Sequence, residues 1–327
     1  MSAALDSPTV SVPPERDLTP LFCPQSIAVV GAARKAGSVG HAVIRNLIYG
    51  RYEGVIYPVN PKAKGILGIP CFADLGALPY TPDLVVVVVP APFVERVVLQ
   101  AAELGTKHVL VISAGFKEIG GEGIEREKRL KEIARENGLS ILGPNCLGII
   151  NTDPHVRMNA TFGSDIPPHG CLGLISQSGA LCAALLDYAK GRGIGFSRFV
   201  SFGNKSDIDE VDLLRSLAGD PNTRAIMMYV EDIGNGPRFL AAAHEITHGP
   251  NPKPILVIKS GRTAEGAAAA AATSSQARAS PRCAPATVAC ISPPPAGWWR
   301  RGGDRRGAGA GRSSRVRCGR RCRAPPA

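Results

Sequence analysis

What the chain lacks sets its first limits. Five of the nine cysteines (Cys23, Cys71, Cys146, Cys171, Cys182) lie in the body before residue 273, and none makes a CxxC pair. An odd, scattered set argues against a disulfide framework or a structural zinc site, and for a reducing compartment. No apolar stretch approaches the roughly 18–20 residues of a membrane span; the longest is Leu84–Ala91. Met1–Arg16 has no basic segment followed by an apolar one, so it is not read as a signal peptide. Residues 1–17 are expected to be a disordered lead, and the protein to be soluble and cytoplasmic with no membrane partner.

Acidic residues almost vanish after Ala272. Thr273–Ala327 holds 12 Arg, no Lys, one Asp and no Glu, whereas Met1–Ala272 holds 26 basic and 26 acidic residues. The whole net charge of +11 therefore belongs to the last 55 residues, and the pI near 9.4 does not make a nucleic acid the expected partner. Leu, Phe, Tyr and Asn are absent from the same stretch, and no period of 2 or 3.6 survives. Residues 273–327 are expected to form a disordered tail with the composition of a GC-rich reading frame translated out of phase. A genuine Arg-rich nucleic-acid tail is the competing reading; the adjacent Trp298 and Trp299 and four cysteines fit it poorly.

What is present in the body is an alternation of β-branched runs and helical patterns. Strands are expected at Ser26–Val30, Gly54–Val59, Leu84–Val89, His108–Ser113 and Ser140–Leu142, with helices at His41–Ile48, Phe93–Leu104 and Gly123–Asn137. Leu84–Val89 is apolar at every position, as in a strand covered on both faces. After a Pro-rich and polar loop at Asn151–His169 the pattern restarts. Strands at Cys171–Ser176, Phe196–Ser201, Ala225–Val230 and Ile255–Ile258 alternate with helices at Ala180–Lys190, Asp209–Leu217 and Arg238–Thr247. Two βαβ series imply an α/β protein with two doubly wound, mostly parallel sheets. The domains are expected at residues 18–148 and 149–272, with the boundary near Leu147–Pro154.

A glycine loop, Gly31–Gly40, joins the first strand to the first helix. Glycines there let the backbone approach a diphosphate, which helix N-terminal N–H groups then face. The spacing is Gly-x5-Gly-x2-Gly rather than the tight G-x-G-x-x-G of NAD sites. The second strand runs into Asn60-Pro61-Lys62, without the acid that holds a nicotinamide dinucleotide's ribose. A diphosphate-adenosine other than NAD is favoured; a Gly-rich structural turn is the plain alternative.

Further segments recur on strand ends in order: Val89–Ala91 (VPA), Ser113–Glu118 (SAGFKE), Gly143–Gly148 (GPNCLG), Ser176–Gly179 (SQSG), Gly203–Asp207 (GNKSD), Glu231 and Lys259–Thr263 (KSGRT). Together with the glycine loop and Val59–Lys62, they resemble the ADP-forming acyl-CoA synthetases and, more distantly, the α subunit of succinyl-CoA synthetase. The resemblance covers roughly Leu18–Ala272. It implies a Rossmann-like CoA-binding domain followed by an incomplete flavodoxin-like ligase domain. It implies CoA contacts at Gly31, Ala32, Ala33, Gly37, Val39, Gly40, Val59, Asn60, Pro61, Lys62, Val89, Pro90, Ser113, Ala114, Gly115, Asn145 and Cys146. It implies phosphate held by Ser176, Gln177, Ser178 and Gly179 at a helix start, a place where serine is also a plain cap. Glu231 matches the carboxylate that orients a phosphorylated histidine. No metal ligands are expected.

In that family a Ser-His-Thr-Gly segment follows Gly-Arg-Thr and carries the relay histidine. Counting from Gly261, its position is about Thr273, and no histidine follows His248. The chain is therefore expected to bind CoA and to lack the phosphorelay; ATP or ADP with Mg is expected only with the missing nucleotide-grasp region, for which a β-type subunit is the candidate partner. The alternatives are a regulatory CoA-binding module of the protein-acetyltransferase kind and, disfavoured, an NAD oxidoreductase. Cys146 is read as a buried small side chain and not a nucleophile. The pair His244 and His248 at i, i+4 lacks an HExxH acid and is read as solvent-facing.

Overall fold

Five of the apolar runs pair side by side. In the computed structural model, which describes residues 16–163 and 166–260 and the backbone of Thr287–Cys290, a short helix α1 (Thr19–Phe22) leads into β1 (Ser26–Val30). Then come α2 (Val39–Tyr49), β2 (Val55–Val59), a small hairpin β3 (Gly65–Ile66) and β4 (Ile69–Pro70), and β5 (Leu84–Val87). The first unit continues with α3 (Ala91–Glu103), β6 (His108–Val111), α4 (Glu122–Asn137) and β7 (Ser140–Leu142). The parallel sheet has the order β2-β1-β5-β6-β7.

Period 2 sorts its side chains onto two faces. On β1, β5 and β6 the residues Ile27, Val29, Leu84, Val86 and Leu110 enter one buried cluster, and Ala28, Val30, Val85, Val87, Val109 and Val111 the other. This is why the valine run reads as continuously apolar. The first cluster runs on through Ile149, Met158, Ile175 and Val200, so one face of this sheet shares its core with the second.

The second sheet contains β8 (Gly148–Asn151), β9 (Met158–Thr161), β10 (His169–Ser176), β11 (Phe196–Ser201), β12 (Ala225–Val230), β13 (Ile255–Lys259) and β14 (Thr287–Cys290). Its order is β14-β13-β12-β10-β11-β8-β9. The four strands β10 to β13 pair in parallel, and β8, β9 and β14 add antiparallel edges. Three helices, α5 (Gly179–Arg192), α6 (Glu210–Gly219) and α7 (Gly236–His248), connect them. Caps set where these begin: Ser178 and Asn235 accept from the first turn, and Asp209 forms a capping box with Asp212.

Two expectations change. The segment Asn151–His169 is not all loop, since β9 lies within it and pairs with β8. Two of its polar residues are buried against each other: Thr161 donates from Oγ1 to Asn159 Oδ1 at 2.7 Å, while the Asn159 amide nitrogen is buried with no partner among the described residues. Beyond Thr273, where no regular structure is expected, Thr287–Cys290 forms a strand against β13; it holds two of the few β-branched residues of that stretch. The rest of the tail and residues 1–15 of the lead lie outside the described residues.

Candidate functional site: a cleft between the two sheets

The carboxyl ends of strands from both sheets open onto one cleft of about 930 Å³. From the first sheet come Val88–Pro90 after β5 and Ile112–Ala114 after β6. From the second come Gln177–Gly179 after β10, Gly203 and Asn204 after β11, and Glu231 and Asp232 after β12. The turn Asn145–Leu147 closes it between the sheets. Open α/β sheets bind ligands at such strand ends.

Of the residues singled out in the sequence, Val39, Val89, Pro90, Ser113, Ala114, Asn145, Cys146, Gln177, Ser178, Gly179 and Glu231 line this cleft. Gly31, Ala32, Ala33, Gly37, Gly40, Val59, Asn60, Pro61, Lys62, Gly115 and Ser176 do not; they build the structure behind and beside it. Gly31 has φ +95°, and a Cβ there would stand 3.0 Å from Val89 Cγ1 and 3.1 Å from the Val88 carbonyl carbon. Gly37 has φ +83° and open space around it, so its backbone faces outward. At Gly40 a Cβ would run into the Gly31 carbonyl oxygen. That glycine lets α2 close against the loop, a packing role distinct from clearing a path for a diphosphate. Asn60 donates from Nδ2 to the Ala32 carbonyl at 2.7 Å and accepts from Lys62 N at 2.8 Å, tying the end of β2 to the loop. His41 Nδ1 lies 3.2 Å from the Ala33 carbonyl oxygen.

On the other wall, Ser178 caps α5 and Ser176 Oγ accepts from Ser178 N at 3.2 Å. Gln177 bridges two strand ends. Its Oε1 accepts from Glu231 N at 2.6 Å and Asp232 N at 3.1 Å, and its Nε2 donates to Asp232 Oδ1 at 2.6 Å. Burial, and then the neighbouring Asp232, push the Glu231 carboxyl above the usual range; Lys259 and Lys117 offset part of this. Burial pushes the Cys146 thiol up to about 12, and its Sγ lies 3.4 Å from the Val111 carbonyl oxygen. It is held protonated, which suits a packing role. His244 and His248 stack on an exposed face of α7, ring centres 4.4 Å apart, away from the cleft lining.

Reading along the chain missed a polar network across the two sheets. The Asn204 amide donates to Glu118 Oε2 at 2.7 Å and Glu127 Oε2 at 2.8 Å, and the Asn204 carbonyl accepts from Lys117 Nζ at 2.6 Å. Glu118 Oε1 also accepts from the N–H groups of Gly115 and Phe116, which holds the Ser113–Glu118 turn in shape. Lys205 Nζ lies 3.1 Å from buried Glu210 and 2.7 Å from Asp232. Lys117, Glu118, Asn204 and Lys205 were signalled only by their presence in the SAGFKE and GNKSD segments, and Glu127, Glu210 and Asp232 by no motif.

Burial alone would raise the Glu118 carboxyl, but the hydrogen bonds from Asn204 and the two backbone N–H groups outweigh it and hold it below its ordinary value. A carboxylate with a depressed folded pKa stabilises the fold above its unfolded pKa of about 4.3, and this is lost as pH falls through the folded value. Glu118→Gln should therefore flatten the loss of stability between about pH 5 and pH 3. Denaturant midpoints taken across that range check this; parallel curves for the two proteins would contradict it.

The fold and cleft define an α/β protein with two mainly parallel sheets and a ligand cleft at their strand ends. A family model described as a CoA binding domain matches residues 25–152, and one described as a succinyl-CoA ligase like flavodoxin domain matches residues 169–289. The 4-hydroxybutyrate–CoA ligase [ADP-forming] of Nitrosopumilus maritimus is 42% identical over 251 residues, 77% of this chain and 36% of its own. The acetate–CoA ligase [ADP-forming] I subunit alpha of Pyrococcus furiosus is 46% identical over 257 residues, 77% of this chain and 54% of its own. Among solved structures, the dinucleotide forming acetyl-coenzyme A synthetase 1 of Ca. Korarchaeum cryptofilum, in complex with phosphate and ADP, superposes with a TM-score of 0.73 at 41% identity. That match covers 81% of this chain and 56% of the other. The chain thus carries a CoA-binding domain and a succinyl-CoA ligase-like domain and is homologous to ADP-forming CoA ligases, of which it spans 36% and 54% of the length in these two curated relatives.

Proposed function

We propose that this protein is the CoA-binding, ligase-like part of an ADP-forming acyl-CoA synthetase, whose overall reaction converts acid, CoA and ATP to acyl-CoA, ADP and phosphate. The observation that carries the reading is the cleft itself. It places the loop ends of the CoA-binding sheet opposite the start of α5 and Glu231.

CoA lays its diphosphate along Gly31–Gly40 and the first turn of α2, where Gly37 stands in open space and the helix N-terminus faces the anion. Its thiol end enters the cleft beside Asn145 and Cys146. Phosphate is held at Gln177–Gly179 by the start of α5 and its dipole; the Gln177 and Ser178 N–H groups are themselves committed to the Tyr229 carbonyl and Ser176 Oγ. Glu231, fixed through its backbone by Gln177, presents a carboxylate to that anion's partner. ATP or ADP with Mg belongs to a nucleotide-grasp region, carried by a β-type partner or elsewhere in the polypeptide. None of the described helices is long and apolar enough to cross a membrane; we propose a cytoplasmic setting, which also suits the free thiols of the described cysteines.

Residues 18–272 should bind CoA at least tenfold more tightly than NAD, since Asn60 is spent on the loop and offers no carboxylate to a ribose. Calorimetric titration with both ligands decides it; tighter NAD binding would overturn the reading.

A further inference from the structure

The cleft wall carries an aromatic ring that the site as described does not use. Phe162 is 39% exposed, although the backbone on both sides of it is held by buried groups. Asn46, itself 4% exposed on α2, donates to the Thr161 carbonyl at 2.8 Å and the Gly163 carbonyl at 2.6 Å. Thr161 Oγ1 accepts from Gly163 N at 3.3 Å. So a rigid frame presents an apolar side chain to open space, a surface with a standing reason to be covered.

The opposite side of that space is α5. Ala180 and Ala183, three residues apart and so on one helical face, are exposed and line the same cleft. A Cβ at Gly163 would lie 3.7 Å from Leu186 Cδ1 and 4.0 Å from Leu147 Cδ2, which seats the end of β9 directly over this part of α5. Larger side chains at the two alanines would fill the gap. The result is an apolar slot in the same cleft that Cys146 lines.

We propose that Phe162, Ala180 and Ala183 form the acyl-chain slot, with Phe162 as the residue that sets selectivity for the apolar part of the acyl group. This rests on the CoA reading above: the thioester carbon lies near Cys146, and the group attached to it extends between the ring and α5. CoA without an acyl group leaves the slot uncovered.

The test titrates the chain with CoA and with isobutyryl-CoA, comparing wild type, Phe162→Ala and Ala183→Leu. Removing the ring should weaken isobutyryl-CoA by about five- to tenfold, the scale of a few tens of Å² of lost apolar cover, and leave CoA unchanged. Filling the slot from the other side with Ala183→Leu should do the same. Equal weakening of both ligands would mean that the ring meets the pantetheine arm, and no change in either would mean that it meets nothing; both overturn the inference alone. Failure of the wild type to bind CoA would overturn the CoA reading and this inference with it.

Discussion

Incubated with labelled ATP or acyl phosphate, alone or with a β-type subunit, this chain is expected to take up no acid-labile phosphate and to make no acyl-CoA. A phosphorelay needs an imidazole that stays neutral near pH 7 and meets the anion. No histidine lines the cleft among the described residues, and none follows His248 in the sequence. Buried His108 sits at the start of β6, the end of the strand away from the cleft, with Nε2 3.0 Å from the Asp17 carbonyl oxygen. Burial holds its pKa down. Removing the nucleophile of a covalent relay costs several orders of magnitude in rate. Acid-stability analysis of the labelled chain is the check. Label on His244 or His248, exposed on α7, would show that the relay position is misplaced.

Gly40→Val should both lower the melting temperature by several degrees and abolish CoA binding. Its Cβ meets the Gly31 carbonyl oxygen and lies 3.0 Å from Ala32 Cα, backbone atoms that cannot rotate away. Overpacking of this kind costs about 1–3 kcal/mol or more. Gly37→Ala is the comparison, because its φ of +83° is strained for alanine but its Cβ meets nothing. It should cost about 1–2 kcal/mol and leave the loop closed on α2. Thermal melts and calorimetry on both variants separate the accounts. Lost binding with an unchanged melt at Gly40 would favour steric blocking of the ligand over loop packing.

The parallel strands were legible because their apolar runs serve two cores at once; β5 shows this, with Leu84 and Val86 on one side and Val85 and Val87 on the other. Helix starts shifted by a residue or two where a cap decides the first turn, as Ser38 does for α2. The hairpin β8–β9 was hidden because Asn159 and Thr161 look like loop residues until they are seen to bond each other. The cleft's lining was partly readable, since strand-end segments in order mark a switch point. Its polar scaffold was not. Asn204 and Glu118 lie 86 residues apart, and only the packing of one sheet against the other brings them together.

The buried thiol of Cys146 has a bearing on thioester chemistry. Exchange of one thioester for another is nearly neutral in free energy, so a thiolate beside bound acyl-CoA would be a trap that moves the acyl group onto the protein. With the thiol pushed up to about 12 by burial, it stays in the unreactive protonated form at pH 7. On the CoA reading proposed above, the cleft would keep a sulfur near the thioester for its size and softness while denying it any part in acyl exchange. Alkylating reagents should discriminate in the same way, sparing Cys146 at neutral pH while they modify free CoA.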